Sequence, residues 1–139
     1  MYIGIDGYIN GWCCCVINND IDIQLHDSLN NFVKQNQTIK RVFIDMPVGL
    51  SSLKFSRKID REVRKLLPKK NKGSVFTPPC REALIKNTYK EGNSINKDIT
   101  GKGISIQSWN LNKKIIELDK LLINNLNLRS IIHESHPEL

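Results

Sequence analysis

Two apolar runs that each end in an aspartate decide the fold of this chain: Met1-Tyr-Ile-Gly-Ile-Asp-Gly7 and Arg41-Val-Phe-Ile-Asp-Met-Pro-Val-Gly-Leu50. Both runs are rich in Ile, Val and Phe and are closed by Gly or Pro, a pattern that predicts buried β-strands. A carboxylate at the end of a buried strand is costly to desolvate unless it is paired, hydrogen-bonded or bound to a cation. If the two strands lie side by side, Asp6 and Asp45 form an oxygen-rich site suited to Mg²⁺ or Mn²⁺.

Length and composition are those of an ordinary globular domain. The chain has 139 residues, of which 40% are hydrophobic and 25% are charged, and this length predicts one domain with a hydrophobic core. No apolar run approaches the roughly 18 residues that cross a bilayer. The N-terminus also lacks the basic and apolar segments of an export signal. We therefore predict a cytoplasmic protein with no membrane partner.

The four cysteines predict no metal site of their own. Cys13, Cys14 and Cys15 are consecutive, Cys80 is alone, and the Cys-x-x-Cys spacing of zinc sites does not occur. Consecutive residues on a strand point to alternate faces and cannot readily form a disulfide with one another. We interpret all four as small apolar side chains in a reducing cytosol.

The positive charge is concentrated in one segment. The formal charge is +7, and residues 54–72 hold nine basic residues against Asp60 and Glu62, so this segment accounts for the whole excess. A local basic cluster favours a polyanionic partner such as nucleic acid or a nucleotide phosphate. A solvated, lysine-rich surface is the alternative interpretation of the same segment.

The first half of the chain predicts a mixed sheet. Residues 2–6, 12–17 and 21–25 predict three strands joined by tight turns. Ser28 predicts the cap of a short helix over 29–35, and residues 40–45 predict the next strand. A strand–helix–strand passage favours parallel pairing of the flanking strands. The expected fold class is therefore α/β, with helices packed on a mixed sheet.

The second half is predicted to be mostly helical. Residues 57–67 show an apolar stripe and a separate basic stripe of Arg57, Arg61 and Arg64 at helical spacing, with Asp60 expected to pair with Arg64. Pro68 ends this helix. Further along, the pattern predicts a short helix over 81–90, a polar loop over 91–106, a stronger helix over 111–124 capped by Asn110, and a fifth strand over 130–135.

Several short motifs together resemble one known family. In chain order they are GIDG at 4–7, GW at 11–12, IDMPVGL at 44–50, DREVRKLL at 60–67, SVFTPPCR at 74–81, GKGISIQSW at 101–109, KKIIELD at 113–119 and HESHPE at 133–138. This pattern resembles the DUF429 family, described as predicted nucleases with a ribonuclease H-like fold, and it covers essentially the whole chain. Members of the family usually continue beyond the HPE segment, so we expect the C-terminal part of the family to be absent here.

The resemblance implies three antiparallel strands followed by parallel strands, with Asp6 and Asp45 meeting at the sheet centre as catalytic metal ligands. It also implies that the final metal ligand of such folds, commonly on a C-terminal helix, is missing from this chain. We expect one ribonuclease H-like domain over residues 1–139, with a helical and loop insertion at about 51–125.

The C-terminal cluster of His133, Glu134, His136 and Glu138 is a second candidate for catalysis. On a strand, Glu134, His136 and Glu138 share one face, although Pro137 interrupts that regularity. Glu134 is predicted as a third metal ligand or general base, and His136 as a proton relay. The alternative is a polar cap beyond the core strand.

Substrate-binding residues are predicted along the helical half. They are Arg61, Arg81, Lys102, Ser105, Gln107 and Trp109. Arginine offers a planar fork matched to phosphate oxygens, Lys102 is expected to meet a phosphate, and Trp109 to stack on a base. The alternatives are a solvated helix face for the arginines and a structural loop with a buried Trp for residues 101–109. Glu117 and Asp119, on the long helix, are predicted as surface charges.

Three functional hypotheses follow from these residues. The first is a metal-dependent nuclease that uses Mg²⁺ or Mn²⁺ and binds nucleic acid. The second is a nucleotide phosphotransferase or phosphohydrolase on the same fold. The third is a non-catalytic nucleic-acid-binding module. An exposed sheet face, where a covering helix is absent, also predicts that the chain forms a homodimer.

Overall fold

The chain divides into two structural units. In the computed structural model, which describes residues 1–36, 38–137 and 139, the first unit comprises Met1–Val48 and Glu117–Pro137. The second comprises Gly49–Ile116 and Leu139. Across the described part of the chain, every helix is too short or too polar to span a bilayer.

The first unit is built on a five-stranded mixed sheet. Its strands are β1 (Tyr2–Tyr8), β2 (Gly11–Ile17), β3 (Ile21–His26), β4 (Arg41–Ile44) and β5 (Ile132–Glu134). They lie in the order β3-β2-β1-β4-β5, with β2 antiparallel to both β1 and β3, and β4 parallel to both β1 and β5. The predicted α/β fold, three antiparallel strands followed by parallel strands, is confirmed, and the strand arrangement is consistent with a ribonuclease H-like sheet.

The predicted parallel pairing of the strands that flank the first helix is wrong. The strands on either side of the first helix, β3 and β4, do not pair with each other, because β4 pairs with β1, the neighbour that the family resemblance implies. A central strand with only one neighbour would leave a row of buried N–H and C=O groups without partners. Pairing β1 with β2 on one side and β4 on the other satisfies those groups and leaves β3 at the sheet edge.

The sheet has one buried face and one open face. Successive side chains alternate between the faces, so the register pairs Ile3↔Val16 and Ile5↔Cys14 lie in the core. The opposite face carries apolar side chains that are each at least 43% exposed, namely Tyr2, Ile17, Ile21, Ile23, Leu25 and Phe43. The homodimer that an exposed sheet face predicts stays a prediction.

The consecutive cysteines follow the same alternation. Cys14 is fully buried, whereas Cys13 and Cys15 are half-buried on the other face, as predicted. Burial, together with the neighbouring Cys13 thiol, raises the pKa of Cys14 to about 12. Cys14 is therefore a neutral thiol near pH 7, and burial likewise raises the pKa of Cys80.

Helices form most of the remaining structure. They are α1 (Leu29–Gln35), α2 (Ile59–Leu66), α3 (Arg81–Leu84), α4 (Tyr89–Thr100), α5 (Ile106–Asn110), α6 (Asn112–Asn124) and α7 (Leu126–Arg129), with a 3-10 turn at Lys69–Asn71. The predicted cap of α1 is confirmed, since the Ser28 hydroxyl accepts a hydrogen bond from the Asn30 N–H at 3.2 Å. Leu29 and Phe32 of α1 are buried in the first unit.

The prediction of a polar loop over residues 91–106 is wrong, because helix α4 covers most of this segment. A capping box starts this helix: the Thr88 hydroxyl accepts from the Glu91 N–H at 3.3 Å, and the Glu91 carboxylate accepts from the Thr88 N–H at 3.2 Å. Gly101, with φ of 72°, ends it in the left-handed conformation that glycine adopts without strain.

Three other helix boundaries also differ from prediction. The helix predicted over 81–90 spans only Arg81–Leu84, and the one predicted over 57–67 begins at Ile59. The helix predicted from Leu111 is preceded by the short helix α5, so Asn110 ends one helix instead of capping the next.

Arginines of the basic segment are used inside the second unit. The predicted Asp60–Arg64 pair is wrong: Asp60 pairs with Arg57 at 2.7 Å, and the two side chains are only 5% and 4% exposed. Arg64 donates instead to the Val75 carbonyl and the Thr77 hydroxyl. Two of the three arginines of the predicted basic stripe therefore stabilise the fold.

A single carboxylate on α6 connects three elements of the first unit. Glu117 Oε2 accepts from the indole N–H of the fully buried Trp12 at 2.9 Å, and Oε1 accepts from the Leu29 N–H at the start of α1 at 2.7 Å. The prediction of Glu117 as a surface charge is wrong. This carboxylate satisfies a buried donor on β2 and caps a helix at the same time.

We expect Glu117→Gln to destabilise the protein by about 1–3 kcal/mol. The amide of glutamine has only one acceptor oxygen, so its NH₂ group must face one of the two donors that the carboxylate now satisfies. Chemical denaturation followed by tryptophan fluorescence and circular dichroism measures the free energy of unfolding. Lys120→Gln, an exposed change on the same helix, is the control and should cost less than about 0.5 kcal/mol. Equal stability of the two variants would contradict the structural role of Glu117.

Gly92 of α4 provides a second test of the packing. A Cβ at this position would lie 2.4 Å from Cζ3 of Trp109 and 3.2 Å from the Ala83 carbonyl oxygen. Alanine normally stabilises a helix interior over glycine, but here we expect Gly92→Ala to cost about 1–3 kcal/mol because the indole must move. Gly73→Ala, where no atom lies within 4 Å of the added Cβ, should be tolerated. A Gly92→Ala variant as stable as wild type in thermal denaturation would show that the Trp109 packing is wrong.

Candidate functional site

Asp6 and Asp45 occupy neighbouring positions on two paired parallel strands. The β1–β4 register pairs Ile5 with Ile44, and the Asp45 N–H continues the ladder by donating to the Ile5 carbonyl at 3.0 Å. Because adjacent strands lie about 4.8 Å apart, the two aspartates stand side by side where the β1–β4 pairing ends. Asp45 follows β4, but β1 continues through Asp6 to Tyr8 in its pairing with β2, so the predicted strand end at Asp6 is wrong. Both line one surface cavity of about 290 Å³.

A third polar residue joins this row from β5. The β4–β5 register pairs Ile44 with Glu134, and the Ser135 N–H donates to the Ile44 carbonyl at 2.9 Å. Ser135 therefore stands directly after β5 as Asp45 stands directly after β4, in line with Asp6 of β1, and it lines the same cavity. The sequence did not single out Ser135, because only the β4–β5 register shows that it stands beside Asp45.

Exposure differs between the two aspartates. Asp45 is half-buried, whereas Asp6 is exposed and accepts a hydrogen bond from the Gly7 N–H at 2.6 Å. The expected cost of burying a strand-end carboxylate therefore applies to Asp45 and not to Asp6. What makes the pair chemically notable is the proximity of two negative charges, whose repulsion a bound cation relieves.

Glu134 lies on the opposite side of the sheet from the aspartate pair. Its register partners Ile44 and Ile5 are core residues, so its side chain alternates away from the face that Asp6 and Asp45 share. The Glu134 side chain is only 6% exposed, and its Oε2 accepts from the Val48 N–H at 2.8 Å. The structure does not bring Glu134 to the predicted metal site.

His136 accompanies Glu134 and not the aspartates. Its Nε2 lies 3.3 Å from Glu134 Oε1, and its side chain is 17% exposed. The hydrogen bond from Val48 to Glu134 holds the segment after β5, and the His136–Glu134 contact is an ion pair only when the imidazole is protonated. Glu138, the last member of the predicted C-terminal cluster, lies outside the described residues.

Asp6 and Asp45 are the residues of this cavity that could hold a divalent cation. Among residues 1–36, 38–137 and 139, no group of three His, Cys, Asp or Glu side chains is arranged to hold a metal ion. Mg²⁺ does not require such a cage, because it keeps several waters and is usually bound by one or two carboxylates together with substrate phosphates. Asp6 and Asp45 are two such carboxylates, and the structure does not place Glu134 beside them.

The two predicted phosphate-binding arginines lie in different surroundings. Arg61 has a side chain that is 70% exposed and pairs with Glu62 at 3.2 Å. Arg81 begins α3, and its backbone N–H donates to the Ser51 carbonyl at 2.9 Å. Five exposed lysines of the basic segment, residues 54–72, make no ion pair within the described residues. They are Lys54, Lys58, Lys69, Lys70 and Lys72.

The residues predicted along 101–109 separate into two groups. Lys102 is exposed and lines a cavity of the second unit. Ser105 caps α5, since its hydroxyl accepts from the Ser108 N–H at 3.0 Å, and Gln107 is exposed on that helix. Trp109 packs edge-on against Tyr89 at a centroid distance of 5.8 Å within the core of the unit. The structural alternative therefore describes Trp109 better than base stacking does.

The sheet and its aspartate pair define an α/β protein with a cavity that Asp6, Asp45 and Ser135 line together with apolar residues. The family is DUF429: the model described as "Protein of unknown function (DUF429)" matches residues 4–139, so the chain belongs to this family, as predicted. No curated protein and no solved structure matches the chain.

A carboxylate of α3 holds the loop that precedes α2. Glu82 Oε1 accepts from the Leu53 N–H at 3.0 Å, and this hydrogen bond lowers the pKa of the Glu82 carboxyl below its ordinary value of 4.5. Because the pKa is lower in the folded state than in the unfolded state, the interaction stabilises the protein above the unfolded pKa. The stabilisation is lost as the pH falls through the folded pKa.

We therefore expect the stability difference between wild type and Glu82→Gln to depend on pH. At pH 7 the variant should be less stable by about 1 kcal/mol, and the difference should close as the pH falls below 4.5. Thermal melts of both proteins between pH 7 and pH 3 measure this. Asp98→Asn, a change of an exposed carboxylate on α4, should show no comparable gap. A stability difference between wild type and Glu82→Gln that is constant over this pH range would contradict the role given to the Glu82 carboxylate.

Proposed function

We propose that this protein is a metal-dependent phosphodiester hydrolase, a nuclease of the ribonuclease H-like type that uses Mg²⁺ or Mn²⁺. The single observation that supports the proposal is the side-by-side placement of Asp6 and Asp45 where the parallel β1–β4 pairing ends, with both residues lining one cavity. Two adjacent carboxylates on a rigid sheet are suited to a hard divalent cation.

The chain contributes position and charge to this chemistry. A divalent cation bound there supplies neutralisation of a scissile phosphate and activation of a water molecule. The Gly7 N–H donates to Asp6 Oδ1 and orients that carboxylate. The Asp45 backbone is held by the ladder bond to Ile5, and Ser135 adds a hydroxyl beside it. A site built on strands in this way is held more rigidly than one built on loops.

The exposed lysines of residues 54–72 support nucleic acid as the substrate class. Five of them are free of ion pairs within the described residues, namely Lys54, Lys58, Lys69, Lys70 and Lys72. Lysine ammonium groups bind phosphates as point charges and without sequence preference. We propose that binding is electrostatic and falls steeply as the salt concentration rises.

A non-catalytic nucleic-acid-binding module is the second candidate. One observation favours it: the carboxylates of the described residues do not form a group of three around the Asp6–Asp45 cavity. In this alternative the lysine surface binds nucleic acid while the aspartate pair holds no catalytic metal. The two candidates differ in whether binding and cleavage depend on Mn²⁺.

We expect Mn²⁺ to bind the wild-type protein, and we expect Asp6→Asn or Asp45→Asn to weaken binding by about tenfold or more, since each removes one of two charged ligands. Glu134→Gln should bind Mn²⁺ like wild type, because Glu134 lies on the other side of the sheet. Asp98→Asn is the control for removal of an unrelated carboxylate. Isothermal titration calorimetry measures the affinities, and circular dichroism verifies that each variant is folded.

Cleavage assays with single- and double-stranded DNA and RNA complete the test. The proposal expects Mn²⁺-dependent cleavage that Asp6→Asn and Asp45→Asn abolish and Glu134→Gln retains. Mn²⁺ binding that is unchanged in both Asp6→Asn and Asp45→Asn would contradict the proposed site. Salt-sensitive nucleic acid binding without metal dependence or cleavage would favour the binding module.

A further inference from the structure

A second cavity lies within the Gly49–Ile116 unit and is lined by hydroxyl groups and cations. Its volume is about 170 Å³, well below the roughly 300 Å³ at which pockets for whole small molecules begin. The polar side chains that line it include Ser51, Ser52, Ser56, Thr77, Thr100 and Lys102, and none of the described carboxylates lines it. Such a lining is suited to one compact anion.

Two of the hydroxyls have a proton left to donate to a ligand. Ser51 Oγ accepts from the backbone N–H of Arg57 at 3.0 Å, and Thr77 Oγ1 accepts from the Arg64 guanidinium at 3.1 Å. Each hydroxyl has one O–H donor as well as acceptor lone pairs, and these contacts use only the oxygen. Within the described residues, the hydroxyl protons therefore remain available to an acceptor in the cavity, such as an anionic oxygen.

The net charge of the cavity wall comes from Lys102. Arg57 also lines the cavity, but its guanidinium is neutralised by the buried pair with Asp60 at 2.7 Å. Lys102 is exposed, and its ammonium makes no ion pair within the described residues. The cavity therefore carries one uncompensated positive charge beside several hydroxyl groups.

The backbone that carries Lys102 is held by a buried side chain. Asn96 is 4% exposed, and its Nδ2 donates to the Lys102 carbonyl at 2.8 Å while its Oδ1 accepts from the Cys80 N–H at 2.7 Å. The following residues are fixed by the Tyr89 hydroxyl, which donates to the Ile104 carbonyl at 2.8 Å.

The opposite wall of the cavity is held as firmly. Ser52 and Phe55 form a two-way backbone bridge with hydrogen bonds of 2.8 and 3.2 Å, and the Ser51 carbonyl accepts from the Arg81 N–H at 2.9 Å. Leu53, between the two, is held by Glu82. Because both walls are fixed before a ligand arrives, little ordering entropy opposes binding.

We propose that this cavity is a binding site for the terminal phosphate of a phosphate monoester. A terminal phosphate has three free oxygens and about two negative charges near pH 7, which match the hydroxyl donors and Lys102. An internal phosphodiester carries one charge and must continue on both sides, which a cavity of this size does not accommodate. The proposal depends only on residues of the Gly49–Ile116 unit and not on Asp6 or Asp45.

Titration of the full-length protein with three probes tests the proposal. The probes are inorganic phosphate, adenosine 5′-monophosphate and the dinucleoside monophosphate ApA, which has a diester but no terminal phosphate. We expect phosphate and the mononucleotide to bind and ApA not to bind, as followed by NMR shifts of Ser51, Ser52, Thr77 and Lys102 at constant ionic strength. Equal affinity for the first two probes would identify phosphate itself as the ligand, and tighter binding of the mononucleotide would identify a nucleotide end.

Matched lysine variants locate the binding. Lys102→Gln should weaken phosphate binding by about tenfold, the effect of losing one charge-assisted hydrogen bond, and Lys102→Arg should retain most of it. Lys90→Gln, an exposed lysine of the same unit, should bind like wild type, and so should Asp6→Asn. Thr77→Val should weaken binding while leaving all charges in place.

Three results would overturn the proposal: absence of phosphate binding in wild type, equal binding of ApA, or equal losses in Lys102→Gln and Lys90→Gln. Retention of phosphate binding in a protein that fails to bind Mn²⁺ would separate this site from the proposed hydrolase activity.

Discussion

The parallel pairing of β1 with β4 is the constraint on which the sheet and its candidate site depend. β1 is the central strand, and its backbone groups are satisfied only if a second strand pairs on the side away from β2. The in-register pairing of Ile5 with Ile44 places two apolar residues in the core and, one position further, two aspartates beside each other. A shift of one residue would move each of these side chains to the other face, so core packing and carboxylate placement are specified by the same register.

Buried polar side chains stabilise both units at points where backbone donors would otherwise lack partners. Glu117 satisfies Trp12 and the start of α1 in the first unit, and Asn96 holds two separate loop segments in the second. The Arg57–Asp60 pair has the same character. Leaving such a group without a partner costs more than a typical hydrogen bond contributes. The contacts of these residues are structural.

Arginines and lysines of the basic segment, residues 54–72, have different surroundings, because they differ in how well they satisfy buried polar partners. Arginine has several donors in a rigid fork and is less strongly hydrated, so it is suited to buried carbonyl and carboxylate partners. Arg57 and Arg64 serve the fold in this way. The lysines are more strongly hydrated and remain exposed. The positive charge that is exposed in the basic segment therefore comes mainly from lysines and not from the arginine stripe that helical spacing indicates.

Much of the first unit could be predicted from local pattern. The apolar runs, the turn residues and the Ser28 cap placed five strands and α1 within a few residues of their observed bounds, because these signals act over short stretches of chain. Helix α4 was missed although Thr88, Glu91 and Gly101 form a standard start and stop signal, since the polar composition between them masked it. The second unit was less predictable because its short helices are determined by packing, as Trp109 against Gly92 shows.

The sequence by itself determined the fold class, the position of Asp45 after a buried strand, and the location of the excess charge, because hydrophobic periodicity and strand-terminating residues are local properties. Only the tertiary structure decided that β4 pairs with β1, that Ser135 joins the aspartates, and that Glu134 lies on the opposite side of the sheet. It also decided that Lys102 borders a hydroxyl-lined cavity. Those facts depend on register and on contacts between residues far apart in the chain, and no local pattern encodes which strand edge or loop a residue will meet.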